Sequence, residues 1–356
     1  MQPPNEITAD DLRTPFSSGY PFPHKDQEEL QQALFLKNLG KVLQSYLLFQ
    51  TCFFCLGCIE IFLFFFFFSF FIKSSLLAFT IAGIFFTCFS YFVLLFYFQA
   101  KKPDQFQSLV DRYVEICRSL IPFEQGTLSY QLALTKSLDR SIDNIRWNPL
   151  PLFFSTQESY NFFSPVLKKI TFYLLWKDIF KIKELFQHAV IRENIQLVKS
   201  LPTHLEAHLA LAKRYIALST LYKPSDEMIA IPTAYAKEEI QYKFKIAIKR
   251  AIEEFKIINE YSSNDRYIHF HLAYLYHELN LKDQEIAELE TVLKISPDDP
   301  EVLLKLGILY FEEGHSAEAL RIYERLKEKD EKRAEVLISY YDASYEQIEE
   351  PLSSTS

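Results

Sequence analysis

The 356-residue chain has a formal net charge of −8, which argues against a nucleic-acid partner, whose phosphates demand a basic footprint. Its 34 Phe against 7 Gly leave no Gly-rich phosphate loop and predict long helices with short connections, an all-α fold. At this length one or two domains fit beside a membrane anchor.

Residues 1–25 hold Pro3, Pro4, Pro15, Pro21 and Pro23 among polar residues, and a disordered tail is expected. It lacks the basic start and small-residue cleavage site of a signal peptide. Residues 26–45 follow as an amphipathic lead-in, with Leu30, Leu34, Leu39, Val42 and Leu43 as its apolar set.

Residues 46–72 and 76–98 are almost unbroken hydrocarbon, separated only by Lys73-Ser74-Ser75. As helices they would measure roughly 40 Å and 34 Å, against about 30 Å of bilayer hydrocarbon. They predict a transmembrane helical hairpin within 26–102. Glu60 is the one charge inside. Its insertion costs roughly 3 kcal/mol, which the apolar side chains of 46–72 outweigh with about 5–11 kcal/mol. Lys37, Lys41, Lys101, Lys102 and Arg112 flank the hairpin, and only Lys73 lies in its turn. The positive-inside rule then places both termini in the cytoplasm. Cys52, Cys55, Cys58 and Cys88 read as small apolar residues at a helix contact rather than as a metal or redox motif.

Residues 103–200 predict a helical connector. One helix covers Phe106 to Leu120, Pro122 and Gly126 break the pattern, and a second runs from Leu128 to Ile145. After a rigid turn at Trp147–Pro151, a long helix starts near Ser164-Pro165. Residues 166–186 mix apolar residues with five lysines. They can lie on an anionic bilayer or form the first buried helix of the following array.

The remainder repeats itself. Aligning Pro202, Ser263 and Pro297 brings Leu211-Ala212, Leu272-Ala273 and Leu306-Gly307 together, followed by Tyr215, Tyr276 and Tyr310. The best unit, residues 300–333, opens Pro-Glu-Val-Leu-Leu-Lys-Leu-Gly-Ile-Leu-Tyr-Phe-Glu-Glu-Gly-His-Ser-Ala-Glu-Ala-Leu. This spacing of small and aromatic residues resembles the tetratricopeptide repeat (TPR) family. The resemblance implies an α-solenoid of stacked helix pairs over 201–348, with an insert at 223–237, a capping helix from 334 and a tail at 349–356. Glu285 departs from the pattern, standing where the family prefers a small residue, as Ala251 and Ala319 do.

By the geometry the resemblance implies, the first helix of each unit lines a concave groove. The lining starts with Glu206, Leu209, Lys213 and Ile216. Tyr267, Phe270, Tyr274 and His277 continue it, then Leu304, Ile308 and Phe311. The alternative is that some of these pack against the capping helix or the insert. Chaperone-binding members hold a peptide carboxylate with Lys and Asn; here those positions are mostly aromatic or aliphatic, and that function is not expected.

No catalytic constellation emerges. His204 and His208 have helical i, i+4 spacing, but the Glu between them is not adjacent to the first His, so the zinc-protease motif fails. His208 and His269 occupy equivalent repeat positions and are expected to be packing residues. No metal, cofactor, nucleic acid or small-molecule substrate is predicted, and the chain is not expected to be an enzyme. The expected function is a membrane-anchored scaffold or adaptor that takes a helical or extended segment of a partner protein. The alternative is a hairpin-centred subunit of a transport or secretion complex acting through Glu60. The two-lobed hairpin also resembles chlamydial inclusion membrane proteins, which would place the chain in a host-derived vacuole. A bacterial inner membrane is the other setting.

Overall fold

A computed structural model describes residues 25–66, 76–145, 164–223 and 234–341, and everything described is helix or short connection. The chain divides into two compact units, residues 1–193 and 194–356. The first contains α1 (Lys25–Phe66), α2 (Leu76–Leu120), α3 (Leu128–Asn144) and most of α4 (Ser164–Ser200). The second contains α5 (Leu205–Tyr222), α6 (Ala234–Tyr261), α7 (Arg266–Glu278), α8 (Lys282–Ile295), α9 (Pro300–Glu312) and α10 (Ser316–Lys329), then a final helix over 331–341.

In the first unit α1 and α2 pack antiparallel through aromatic rings. Phe49 meets Phe98 at 4.6 Å between centroids, and Phe53 meets Tyr91 at 5.6 Å. Both helices contain a stretch long and apolar enough to cross a membrane, with 0% of that stretch buried in the chain. Phe79, Phe85 and Phe54 are 82%, 74% and 73% exposed. The expected turn at 73–75 lies outside the described residues, as do residues 1–24 of the tail expected at 1–25, the rigid turn at 147–151, the bulk of the insert and the tail at 349–356; Lys25 is already helical.

Beyond the apolar stretch the same two helices continue without a break. Phe35, Leu39 and Leu43 of α1 join Phe106, Val110 and Tyr113 of α2, Leu134 and Leu138 of α3, and Ile179, Ile182 and Phe186 of α4 in one buried core. The helix expected to begin at Phe106 is therefore the distal part of α2, which runs through Pro103. A proline inside a helix removes a backbone bond and costs about 3 kcal/mol; burial of the apolar face that follows it offsets this. Within 166–186, the part from Leu175 to Phe186 is core: Leu175, Ile179, Ile182 and Phe186 are buried, while Lys177 is exposed.

In the second unit consecutive helices pair as α5 with α6, α7 with α8, and α9 with α10. The pairs are built alike. Asp265 caps α7 by accepting from the Tyr267 N–H, and Asp299 caps α9 by accepting from the Glu301 N–H. Between the helices of a pair the chain turns through a left-handed residue, Asn280 (φ 56°) or Gly314 (φ 78°), residue types that tolerate this backbone. The turn is closed by Leu281 N–H to Tyr276 O and His315 N–H to Tyr310 O. Ala212, Ala273 and Ala319 are buried, and Gly307 lies against Leu337 of the last helix.

Candidate functional site

The seven groove residues expected from the sequence sit on α7 and α9, in unequal settings. Tyr267 is 40% exposed at the start of α7, and its ring meets His271 edge-on at 4.1 Å. Phe270 and Tyr274 are half-buried along the same helix, and Leu304 and Ile308 hold comparable positions on α9. Phe270, Leu304 and Ile308 rest on the core of the last repeats. Phe311 is buried, its ring 5.2 Å from that of Tyr341, so the 331–341 helix covers it. His277 is exposed and turned toward α8, its Nδ1 3.1 Å from Glu285 Oε2. On α5, Ile216 is buried, Leu209 and Lys213 are half-buried and Glu206 is exposed.

Two cations attend this aromatic strip. Lys213 Nζ lies 5.7 Å from the Tyr267 ring centre, and Lys305 Nζ 4.7 Å from that of Phe270. Burial and the neighbouring Arg214 lower the Lys213 pKa. His271 lies beneath, stacked on Phe255 at 5.4 Å. Burial first, and Lys213 second, bring its pKa to about 4, so it is neutral at ordinary pH. Burial raises the Tyr267 hydroxyl, with Asp265 adding to it. The strip offers apolar faces flanked by two lysines. Among the described residues no group of three or more His, Cys, Asp or Glu could hold a metal ion.

Three features escaped the sequence. Glu285, out of place in the repeat pattern, is buried with its carboxylate on His277. That hydrogen bond raises the His277 pKa against the effect of burial. His208 and His269 are buried as expected, but each also bridges two oxygens. His208 Nδ1 lies 2.7 Å from Glu254 Oε2 and its Nε2 2.9 Å from Pro202 O. His269 Nδ1 lies 2.6 Å from Glu288 Oε2 and its Nε2 3.0 Å from Ser263 O. The shared repeat position of the two His was the only available signal for this. Finally, Glu60 accepts a hydrogen bond from Thr87 Oγ1 of α2 at 2.7 Å.

Residues 267–299 and 286–337 match the tetratricopeptide repeat family. The C-terminal half of the chain carries TPR repeats. Solved structures with similarity include MamA, 22% identical over 44% of this chain and 96% of that one, with a TM-score of 0.25. A thermophilic TPR protein of Thermus thermophilus is 18% identical over 61% of this chain and 91% of its own, with a TM-score of 0.28. YrrB, described as a TPR protein with an unusual peptide-binding site, is 11% identical over 49% of this chain and 97% of its own, with a TM-score of 0.24. No curated protein matches the chain. Proteins built from TPR repeats are typically interaction scaffolds without enzymatic activity, and the strip on α7 and α9 lies within the matched repeats.

Proposed function

We propose that the chain is a membrane-anchored TPR scaffold whose repeats hold an apolar or amphipathic segment of a partner protein. One observation carries the reading: Tyr267, Phe270 and Tyr274, with Leu304 and Ile308, stay partly exposed on successive first helices of the array. Partly exposed aromatics with a preset geometry supply most of the energy at interfaces, and an apolar strip of this kind fits a helix or extended peptide. The anchor is the α1–α2 hairpin. Its support is the exposure of both apolar stretches and the lysines at 101 and 102 where the second one ends. Both termini are then cytoplasmic in a bacterial inner membrane, or face host cytosol from a host-derived vacuole.

The test is the full chain with Phe270→Ala and Tyr274→Ala, immobilised beside wild type and exposed to extract of the source cells. Quantitative mass spectrometry should find a protein retained by the wild type and reduced at least tenfold on the double variant, since central aromatic anchors are worth about 2 kcal/mol or more each. Circular dichroism verifies that the variant is folded. Equal retention by both chains would move the binding site off α7. The second reading, chemistry through Glu60, is not favoured. Its bond to Thr87 accounts for that carboxyl group as a latch between α1 and α2, in the manner of other polar contacts between membrane helices.

A further inference from the structure

Helix α4 is longer than the bundle it helps to build. Its register on α2 is set by three pairs. Lys102 Nζ meets Asp178 Oδ2 at 2.5 Å, Tyr113 faces Phe186 with ring centroids 5.8 Å apart, and Arg118 pairs with Glu193. The partners advance together, so α2 and α4 run parallel. Lys102 lies just past the apolar stretch of α2 that ends at Phe98. Fourteen residues of α4, from Ser164 to Lys177, precede Asp178. At 1.5 Å each they carry the helix about 21 Å beyond Lys102, in the direction of the apolar stretch of α2. From Leu175 onward α4 is part of the buried core of the bundle. The sequence of the preceding part is Ser-Pro-Val-Leu-Lys-Lys-Ile-Thr-Phe-Tyr-Leu.

We propose that residues 164–174 form a third membrane-embedded segment, entering the bilayer beside the hairpin from the side of the bundle and ending within it. This rests on the membrane reading of α1 and α2. Eleven residues are too few to cross, since a span needs about 20. A helix can nonetheless end within the bilayer core, because its backbone N–H groups beyond the first turn are bonded internally and Pro165 removes one of those that are not. Its composition suits that depth. Val166, Leu167, Ile170, Phe172, Tyr173 and Leu174 are apolar or aromatic, and the only charges before Lys177 are Lys168 and Lys169. Lysine is the charge that such segments tolerate, its flexible stem reaching back to the headgroups. The segment would fix the rotation of the bundle on the membrane, which a two-helix anchor leaves less constrained.

The test uses the full chain in vesicles of phosphatidylethanolamine and phosphatidylglycerol, with its five cysteines replaced. A single cysteine carrying an NBD fluorophore is placed at Leu167, Thr171, Phe85 or Ser119. Quenching by lipids with spin labels on the acyl chains is compared with quenching by aqueous iodide. Labels at Leu167 and Thr171 should follow the one at Phe85, quenched several-fold more by the lipid probe, while Ser119 shows the reverse. Iodide quenching at Leu167 and Thr171 with Phe85 still lipid-quenched would overturn the proposal and leave the hairpin intact. Shielding of both from either probe would place the segment in a protein interior and also overturn it. Iodide quenching at Phe85 would remove the hairpin, and the proposal with it.

Discussion

Gly307 sits where any side chain would have to displace its neighbours. A Cβ built on it would lie 2.6 and 2.9 Å from the Leu337 methyls and 3.1 Å from Ile322 Cγ2. The first two distances are shorter than packed atoms allow, and Leu337 is itself fully buried. Gly307→Leu must therefore push the last helix away from α9. Overpacking costs about 1–3 kcal/mol, and this case should reach the upper end, lowering the apparent melting temperature by several degrees in a thermal scan followed by circular dichroism. Gly307→Ala should cost less, because a leucine end can shift and alanine adds about 1 kcal/mol of helix propensity. An unchanged melting temperature in the Leu variant would mean that the packing of α9 on 331–341 is wrong. The alignment of Gly307 with Ala212 and Ala273 made this contact legible. The repeat pattern could not show how Glu285 is accommodated, because its partner His277 comes from the facing helix.

At the scale of elements, the two helices of a pair are tied by a charged bridge, His269 of α7 to Glu288 of α8. The ring of His269 has an oxygen at each nitrogen, and only the imidazolium donates to both. Burial lowers its pKa, but the Glu288 carboxylate and Ser263 carbonyl, with Asp265 beyond, outweigh burial and hold it above 6.5. A raised histidine pKa stabilises the fold below the unfolded value and fades as pH rises through the folded one. His277 acts in the same direction through Glu285. His271, held near 4, acts in the opposite one, its contribution falling away as pH drops from 6.5 toward 4. Glu288→Gln should therefore cost about 1–2 kcal/mol at pH 6, where it replaces a charge-assisted bond with a neutral one, and little at pH 8.5. Melting curves of variant and wild type at the two pH values decide it. A gap of equal size at both would assign the bridge to packing alone.

For the whole molecule the prediction is topology. On the proposed membrane reading, the lysine and arginine excess outside the turn would put that turn on the far side of the bilayer from both termini. In a cysteine-free chain in sealed cells, Ser74→Cys should react with an impermeant thiol reagent from the non-cytoplasmic side, while Gln2→Cys and Ser356→Cys stay protected. The opposite pattern would invert the assignment.

The all-helical class, the two apolar stretches and the positions of the repeat helices were readable directly. Each is a one-dimensional signal, an unbroken run of hydrocarbon or a recurrence of small and aromatic residues at fixed spacing. Tertiary structure decided what depends on residues far apart in the chain. The sequence suggests a separate helix from Phe106, yet α2 runs unbroken through Pro103, with Phe106, Val110 and Tyr113 buried against α1 and α4. Residues 166–186 allowed a core or a surface role, and only the packing of Leu175, Ile179, Ile182 and Phe186 makes their later part core. Phe270 and Phe311 both belong to the expected groove lining, but Tyr341 covers Phe311 and a lysine flanks Phe270. Periodicity names the face on which a residue lies. What covers that face is settled by a partner whose distance along the chain no local pattern encodes.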